Sequence, residues 1–304
     1  MKEQLTVGLV QPELRRSDET PMEATRRICE MMMTEPSGID LFVLPELCPV
    51  GYSEDTFHRY LPETAELRSL YGEIDNEMAE AARKCGACIC YGTIGWEAEE
   101  YSQSNNGSLT PSNNTRYFIR QKVVDPSRRF IATYDKIYLC DYGDCNETKL
   151  FSPGKSIATF DCQGWKIGIM VCADIRYPLL CRRLALEPSS EQKDSPSVLN
   201  TCQVVLQPAC FSRDLSFRTW KSFRETRAVE NGVYFVATNY AGDYYGESSV
   251  TPPWVDEDHE PKVWGIEPNI FRTMLEKETV QKARESMPYY RYLIRDRLAD
   301  FSHS

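Results

Sequence analysis

The chain has 304 residues, of which 41% are hydrophobic and 26% are charged, proportions typical of a globular protein rather than a disordered or fibrous one. Its 35 basic and 45 acidic residues give a formal net charge of -10, which argues against nucleic acid or an anionic membrane as a partner. The 12 cysteines are too sparse for a disulfide-stapled secreted scaffold, so we expect reduced thiols.

The N-terminus shows no basic leader followed by a small-residue cleavage site of the secretory kind. No segment approaches the roughly 18 consecutive apolar residues that a membrane-spanning helix needs. These two observations predict a soluble, cytoplasmic protein.

Short apolar runs alternate along the chain with longer amphipathic stretches, which indicates an α/β fold. In chain order we predict strand Leu5–Val10, helix Pro21–Thr34, strand Leu41–Leu44, helix Thr64–Cys85, strand Ile89–Ile94, strand Trp165–Val171, helix Leu179–Glu187, strand Val204–Leu206, helix Phe217–Asn231 and strand Val233–Thr238. Gly232 follows Asn231 and predicts a left-handed helix end there.

The remaining stretches are predicted to be loops or a tail within one domain spanning residues 1–304. The polar stretches 101–115 and 188–197 are predicted surface loops, and 246–265 is predicted to be irregular. Residues 276–292 are predicted to be charged helix or tail, and the tail to about 304 is a candidate for contacts with a second subunit. No internal repeat is found.

Cys172 is the first candidate for chemistry. The apolar strand Trp165–Val171 runs directly into this cysteine, and a helix is predicted shortly afterwards. The carboxyl end of a strand is where α/β proteins bind ligands, and a nearby helix start favours a thiolate. The alternative is a buried structural cysteine, which position alone does not rule out among 12 cysteines.

Glu46 and Lys136 are charged residues in apolar or strand-like surroundings. Glu46 follows the apolar segment Leu41–Leu44, and burial there would raise the pKa of its carboxyl toward the range of a general base. Lys136 lies in Tyr134–Leu139, which alternates like a strand. If the lysine faces inward, its charge would stabilise a thiolate and the oxyanion of a tetrahedral intermediate. The alternative for both residues is an ordinary surface charge.

These residues occur in three local motifs whose order is informative. The motifs are Leu44-Pro45-Glu46, Tyr134-Asp135-Lys136 and Val171-Cys172-Ala173-Asp174-Ile175-Arg176-Tyr177-Pro178. The set resembles the Glu-Lys-Cys triad of the nitrilase, or carbon-nitrogen hydrolase, superfamily. Further matches are Glu147 with the turn Phe151-Ser152-Pro153-Gly154, Gln207-Pro208-Ala209, Trp220, Arg227–Asn231, Asn239 and Gly246–Ser249, so the resemblance spans about Leu5 to Ser249.

The resemblance implies a four-layer αββα sandwich, usually assembled into homodimers or higher even homo-oligomers, and a mechanism that uses no cofactor. In this mechanism Glu46 takes the thiol proton and Cys172 attacks the carbon of the C–N bond. Lys136 and the backbone N–H of Ala173 hold the oxyanion, and Glu147 positions the lysine or the substrate nitrogen. Water activated by Glu46 then hydrolyses the thioester. No metal is implied.

Two local features bear on the substrate. Ala173-Asp174 after the cysteine resembles the amidase branches more than the nitrilases, which favours a small amide, for example an ω-amide of a dicarboxylic acid, over a nitrile. Leu179 stands where the family usually has a glutamate. Hydrolysis of N-carbamoyl amides such as ureido acids is the first alternative. A carboxylate-bearing substrate would need a cation, for which the candidates are Arg176, Arg213 and Arg227.

Other classes of function remain as alternatives. The groups Cys85-Cys88-Cys90 and Cys140-Cys145 suggest a zinc site, but the histidines His58, His259 and His303 are scattered along the chain. The same scarcity argues against a histidine-dependent triad, and no phosphate-binding glycine loop is present. Within the family, the alternatives are an acyltransferase and a non-catalytic binding or assembly member, and retention of all three triad residues argues against the last.

Overall fold

The computed structural model describes residues 2–98, 101–103, 109–111, 114–143, 145–187, 201–287, 290 and 292. Its helices are α1 (Pro21–Met33), α2 (Glu54–Tyr60), α3 (Ala65–Cys85), α4 (Pro178–Ala185), α5 (Phe217–Asn231) and α6 (Lys277–Ser286). Its strands are β1 (Gln4–Gln11), β2 (Leu41–Val43), β3 (Cys88–Ala98), β4 (Tyr101–Gln103), β5 (Leu109–Pro111), β6 (Thr115–Val124), β7 (Phe130–Asp135), β8 (Ala158–Cys162), β9 (Trp165–Ile169), β10 (Val204–Pro208), β11 (Tyr234–Thr238), β12 (Ser249–Thr251), β13 (Lys262–Val263) and β14 (Asn269–Glu276).

Two six-stranded sheets share one plan, in which three parallel strands are flanked by antiparallel ones. The first sheet has the order β14-β1-β2-β3-β6-β7, with β1, β2 and β3 parallel. The second has the order β13-β12-β11-β10-β9-β8, with β9, β10 and β11 parallel. Strands β4 and β5 pair separately as a small hairpin. Side chains that follow parallel strands therefore gather at one edge of each sheet.

The alternation of side chains along the strands explains the layers. In the second sheet, Leu206 and Val236 pack in the core cluster that also contains the strands of the first sheet. Their neighbours Val205 and Phe235 belong to a second cluster with residues of α4 and α5. Each strand thus buries one face against the other sheet and one against helices. On the other side, α1 and α3 cover the first sheet, which confirms the predicted four-layer αββα sandwich.

Local signals set several helix boundaries. Thr20 caps α1, because its hydroxyl accepts a hydrogen bond from the N–H of Glu23 at 3.2 Å and the Glu23 carboxylate accepts from the Thr20 N–H at 2.7 Å. Gly232 ends α5 in the left-handed conformation with φ 55°, as predicted from Asn231-Gly232.

The structure corrects the sequence-based assignments in three segments, one of which is the predicted irregular stretch 246–265, where β12 and β13 lie. The predicted strand Tyr134–Leu139 ends at Asp135, so Lys136 follows the strand instead of lying within it. The N–H of Lys136 still donates to the carbonyl of Ile119 in β6 at 2.9 Å, and the chain leaves the sheet after it. The predicted loop 101–115 contains β4, β5 and the start of β6, whereas loop 188–197 lies outside the described residues.

The described part of the predicted tail packs against its own subunit. Helix α6 buries Arg284, whose Nε donates to the carbonyl of Gly232 at 2.9 Å. A contact between the tail and a second subunit stays a prediction. Among the helices of the described ranges, none combines the length and apolar character required to cross a membrane.

Candidate active site

Glu46, Lys136 and Cys172 meet between the two sheets. Glu46 follows β2, Lys136 directly follows β7, and Cys172 follows β9. Because β2 and β7 run in the same direction in the first sheet, their ends lie at the same edge. The Nζ of Lys136 lies 2.7 Å from Oε1 of Glu46.

Two glycines allow the backbone around these residues to pack closely. A Cβ on Gly92 of β3 would lie 2.3 Å from the backbone N of Leu47, so only glycine lets the loop after Glu46 lie against the sheet. A Cβ on Gly154 would lie 2.0 Å from the carbonyl O of Asp135. The N–H of Gly154 also donates to the carbonyl of Lys136 at 2.8 Å. The Pro-Gly turn therefore fixes the residue at which the chain leaves β7.

Lys136 forms a buried ionic network with two carboxylates. Its Nζ donates to Oε1 of Glu46 at 2.7 Å and to Oε1 of Glu147 at 2.8 Å, and all three side chains are 0% exposed. Burial of a charge without a partner is strongly unfavourable, so the three groups stabilise one another in place.

The surroundings of Glu46 and Lys136 give the two residues different protonation states. Burial raises the pKa of Glu46, and the neighbouring Glu147 raises it further, although Lys136 opposes both. Burial alone would lower the pKa of Lys136, but the carboxylates of Glu147 and Glu46 hold it well above its usual value. Lys136 therefore stays an ammonium group, and Glu46 is the carboxyl that is placed to exchange a proton.

Glu46 lies between the lysine and the thiol. Its Oε2 accepts a hydrogen bond from the N–H of Cys210 at 3.2 Å, and its side chain also hydrogen-bonds the Cys172 thiol. Its backbone carbonyl accepts from the Tyr240 hydroxyl at 2.8 Å. These contacts orient the carboxyl toward the sulfur, which is the arrangement that a general base requires.

Cys172 begins a 3-10 helix, Cys172–Arg176, and has a left-handed φ of 44°. Its carbonyl accepts a hydrogen bond from Nε2 of Gln207 at 3.0 Å, and Oε1 of Gln207 accepts from Nε1 of Trp220 at 2.9 Å. Burial raises the pKa of the Cys172 thiol, and Glu46 raises it further against the effect of Lys136. The sequence predicted a thiolate stabilised by a helix start, whereas burial and the neighbouring Glu46 favour the protonated thiol at rest.

Glu147 is held by three donors. It starts a short 3-10 helix, Glu147–Lys149, and its Oε1 accepts from Lys136 and from the hydroxyl of Tyr52. Its Oε2 accepts from the N–H of Cys140 at 2.8 Å. The structure therefore brings Glu147 to Lys136. Tyr52 was not identified from the sequence, since nothing in its neighbourhood distinguishes it from the other tyrosines.

Asp174 ties the turn after Cys172 to the segment around Lys136. Its carboxylate is buried and accepts hydrogen bonds from the N–H of Val171 at 2.8 Å, the N–H of Tyr138 at 2.9 Å and the hydroxyl of Tyr134 at 2.7 Å. Burial raises its pKa to about 6. Between Cys172 and Asp174, Ala173 is buried in the first turn of the 3-10 helix, where backbone N–H groups have no partner within the helix.

A cavity of about 560 Å³ opens beside this cluster. Its uncharged, buried or half-buried lining residues are Tyr52, Phe57, Cys145, Leu150, Cys210 and Tyr245. Its exposed rim consists of Ser53, Glu54, His58, Asn146, Lys149 and Tyr244, and half-buried Ser212 also lines it. The Tyr52 hydroxyl bonds Glu147 and the Cys210 N–H bonds Glu46, so the inner wall is continuous with the ionic network.

The three arginines considered from the sequence for a substrate carboxylate do not line this cavity. Arg227 is buried and donates to the carbonyl of Ile175 at 3.0 Å. Arg213 donates to the carbonyl of Tyr245 and pairs with a glutamate. Arg176 donates to the Ser216 hydroxyl and lies over aromatic rings. Each arginine thus has a structural partner, which corrects that assignment for this cavity.

The cysteine groups of the sequence do not form a zinc site in the described structure. Cys140 and Cys145 are hydrogen-bonded to each other, without a third ligand beside them among the described residues. Cys88 lies with its sulfur 3.7 Å from that of Cys162 on the other sheet. Within the ranges that the structure describes, no three Cys, His, Asp or Glu side chains converge as a set that could hold a metal ion.

Leu179 is 73% exposed at the start of α4. It stands where a glutamate was expected from the resemblance, so the first turn of α4 carries no carboxylate.

Comparison with known proteins agrees with the geometry. A model of the family described as carbon-nitrogen hydrolase matches residues 6–256. The chain is 25% identical over 265 residues to the human omega-amidase NIT2, covering 84% of this chain and 83% of the relative.

Solved structures show the same fold. One is XC1258 from Xanthomonas campestris, described as a CN-hydrolase superfamily protein, with a TM-score of 0.72, 18% identity and coverage of 96% of this chain and 97% of that one. Another is an amidase from Nesterenkonia sp., with a TM-score of 0.68, 22% identity and coverage of 94% and 96%. The family match extends over most of the chain and includes all three motifs. This protein belongs to the carbon-nitrogen hydrolase family, as its motifs predicted.

Proposed function

We propose that this protein is an amidase that hydrolyses the C–N bond of a small amide through a thioester on Cys172 and releases ammonia. The observation that carries the proposal is the buried network of Lys136 with Glu46 and Glu147, in hydrogen-bond contact with the thiol of half-buried Cys172. A fixed ammonium group, a carboxyl of raised pKa and a thiol are the components that cysteine-dependent acyl transfer requires.

The first half of the reaction forms the thioester. The Glu46 carboxylate takes the thiol proton, and Sγ of Cys172 forms a bond to the amide carbon. The negative charge that develops on the amide oxygen is stabilised by the Lys136 ammonium and by the Ala173 N–H. When the tetrahedral intermediate collapses, the C–N bond breaks and the leaving nitrogen takes the proton from Glu46, so that ammonia departs.

The second half reverses these roles with water. Glu46 takes a proton from water, whose oxygen attacks the thioester carbon, and the same donors stabilise the second oxyanion. The C–S bond then breaks, Sγ recovers the proton from Glu46, and the carboxylic acid is released. Glu147 is the positioning residue, because hydrogen bonds from Tyr52 and Cys140 hold its carboxylate and that carboxylate accepts a hydrogen bond from Lys136.

The substrate is proposed to be an ω-amide of a dicarboxylic acid or a short aliphatic amide. The similarity to proteins named omega-amidase supports this class over nitriles and N-carbamoyl amides. We further propose that the protein acts in the cytoplasm, without a cofactor, as a homodimer or a higher even homo-oligomer. No nucleic-acid or membrane partner is proposed.

The test is ammonia release from a panel of primary amides, ureido acids and nitriles. We expect turnover of amides by the unaltered protein and none by Cys172→Ala, whereas Cys85→Ala, which removes a half-buried thiol outside the site, should retain it. Turnover confined to ureido acids or nitriles would contradict the substrate class.

Two further results would redirect the proposal. Faster consumption of an amide with added hydroxylamine, giving the hydroxamate as main product, would favour an acyltransferase. No turnover, with Cys172 no more reactive toward iodoacetamide than the other cysteines, would favour a non-catalytic member of the family.

A further inference from the structure

The cavity beside the network changes in character from its inner wall to its rim. The inner side chains are aromatic, aliphatic or thiol groups and carry no charge, so they suit the uncharged part of a substrate. The rim carries both signs of charge. Among the lining residues that the structure describes, Lys149 is the one side chain with a permanent positive charge, and Glu54 is the one carboxylate.

Lys149 is placed by the same segment that fixes the ionic network. It ends the 3-10 helix that begins at Glu147, whose carboxylate is bonded to Lys136. The backbone of this segment is therefore tied to the reacting groups by a buried ion pair. The Lys149 side chain therefore extends to the rim from a backbone whose place relative to the ionic network is fixed, which limits the distances from the network that its ammonium group can reach.

The charge of Lys149 is not neutralised by an ion pair within the described part of the chain, where no carboxylate lies within 4.0 Å of its Nζ. The carboxylate of the nearby Asp141 accepts a hydrogen bond from the N–H of Thr148 at 3.0 Å. Hydrogen bonds from Thr148 lower the pKa of Asp141, and the charge of Lys149 adds a smaller, longer-range contribution. Lys149 thus differs from Arg213, which pairs with Glu247 at 3.1 Å and contributes no charge to the cavity. An unpaired ammonium at the mouth of an uncharged cavity attracts an anionic group.

We propose that Lys149 is a specificity-determining residue that binds a carboxylate at the end of the substrate remote from the amide. This inference rests on the proposed amidase function and narrows its substrates to amides that carry a terminal carboxylate. The uncharged chain of such a substrate lies along the inner wall, its amide reaches Cys172, and its carboxylate remains at the exposed rim. Glu54, on the same rim, repels an anionic substrate, so replacing Glu54 should have the opposite effect to replacing Lys149.

The test compares two amides of equal chain length, the monoamide of a five-carbon dicarboxylic acid and the neutral five-carbon amide. The measured quantity is the ratio of their kcat/KM values. In Lys149→Met we expect this ratio to fall about tenfold, mainly through KM, since one charge-assisted hydrogen bond at a partly exposed position is lost. In Glu54→Gln the ratio should rise about twofold. Lys84→Met, a change of the same type on α3 far from the cavity, should leave it unchanged.

Ionic strength supplies a readout that a purely structural role would not move. Salt screens the attraction between Lys149 and a carboxylate, so the ratio should fall with added salt in the unaltered protein. In Lys149→Met the remaining rim charge is that of Glu54, whose repulsion is also screened, so the ratio should not fall and should rise slightly. A ratio that is the same in both proteins, or a fall of equal size for both amides, would overturn the role of Lys149 while leaving amide hydrolysis intact.

A binding measurement separates this inference from the proposed function. The Cys172→Ala variant is titrated with the monoamide by calorimetry, and addition of Lys149→Met should weaken its binding about tenfold. Equal binding by the two variants would overturn the inference even if no amide is turned over. Absence of turnover by the unaltered protein would contradict the proposed function alone.

Discussion

The two sheets follow the same strand plan but supply different chemistry to the site. The ends of the first sheet provide Glu46 and Lys136, which are charged, fully buried and paired with each other. The ends of the second provide Cys172 and Gln207, which are uncharged at rest and linked by a hydrogen bond between neutral groups. Only packing of one sheet on the other brings base and thiol together, so the site depends on the tertiary fold and not on either sheet alone.

The largest effect is expected when the positive charge at the centre of the buried ionic network is removed. Lys136→Met leaves two buried carboxylates without their counter-ion, and we expect the free energy of unfolding to fall by about 3–5 kcal/mol. Hydrolysis should be lost as well. Urea unfolding followed by circular dichroism gives the stability, and ammonia release gives the activity.

The matched control for that variant is Lys282→Met on α6. Lys282 pairs with Glu278 at 2.6 Å, but both side chains are 70% exposed, so we expect no measurable change in stability or activity. If Lys136→Met were as stable as the unaltered protein, the statement that Lys136 and the two buried carboxylates stabilise one another would be wrong.

The second prediction concerns the pH dependence of kcat/KM, which is set by the raised pKa of Glu46. Since the pKa of Glu46 is raised, the carboxylate form needed as base is absent over a wider acidic range than for an ordinary glutamate, whose pKa is 4.5. On the acidic side kcat/KM should therefore rise about tenfold per pH unit until the raised pKa is passed. In Glu147→Gln, removal of a neighbouring negative charge lowers the pKa of Glu46, and the acidic limb should move to lower pH.

Rate profiles of both proteins on a neutral amide, whose own charge does not change with pH, check this prediction. An acidic limb at the ordinary glutamate value in the unaltered protein, or a shift to higher pH in the variant, would contradict the assigned electrostatics.

The smallest effect is expected for the hydrogen bonds between uncharged groups that hold the carbonyl of Cys172. Trp220→Phe keeps an aromatic ring beside Phe211 but removes the N–H that orients Gln207 against the carbonyl of Cys172. Loss of one neutral hydrogen bond corresponds to about 1 kcal/mol, so kcat should fall about fivefold. Trp264→Phe, at a tryptophan stacked on Phe271 away from the site, is the control and should retain kcat. A loss of activity as large as that in Lys136→Met would contradict the difference drawn between the charged residues of the first sheet and the uncharged residues of the second.

Residue patterns predicted the parts of the fold whose cause is local. The buried parallel strands are short apolar runs, and α1 and α5 carry their own end signals in Thr20 and Gly232. The strands that were missed depend on distant partners. β14, for example, is half exposed and pairs antiparallel with β1 near the other end of the chain, which no local window contains.

The site divides in the same way. Glu46, Lys136, Cys172 and Glu147 stand out because a motif or an unusual setting accompanies each of them. Tyr52 and the cavity rim carry no such signal, since they are brought to the site by the tertiary packing of α2 against the segment after Lys136. The three arginines were plausible as carboxylate ligands by charge alone, and only their hydrogen-bond partners show that they are already engaged.

The left-handed φ of 44° at Cys172 is an unfavourable backbone conformation at the residue whose side chain is proposed to react. A side chain with a Cβ adopts this conformation at a cost of roughly 1–2 kcal/mol, whereas glycine adopts it almost freely. The surrounding hydrogen bonds hold the cysteine there, and stability alone would select a different residue at this position. Glycine at position 172 would relieve this cost but would remove the sulfur, so the proposed chemistry and the stability of the turn favour different residues at this position.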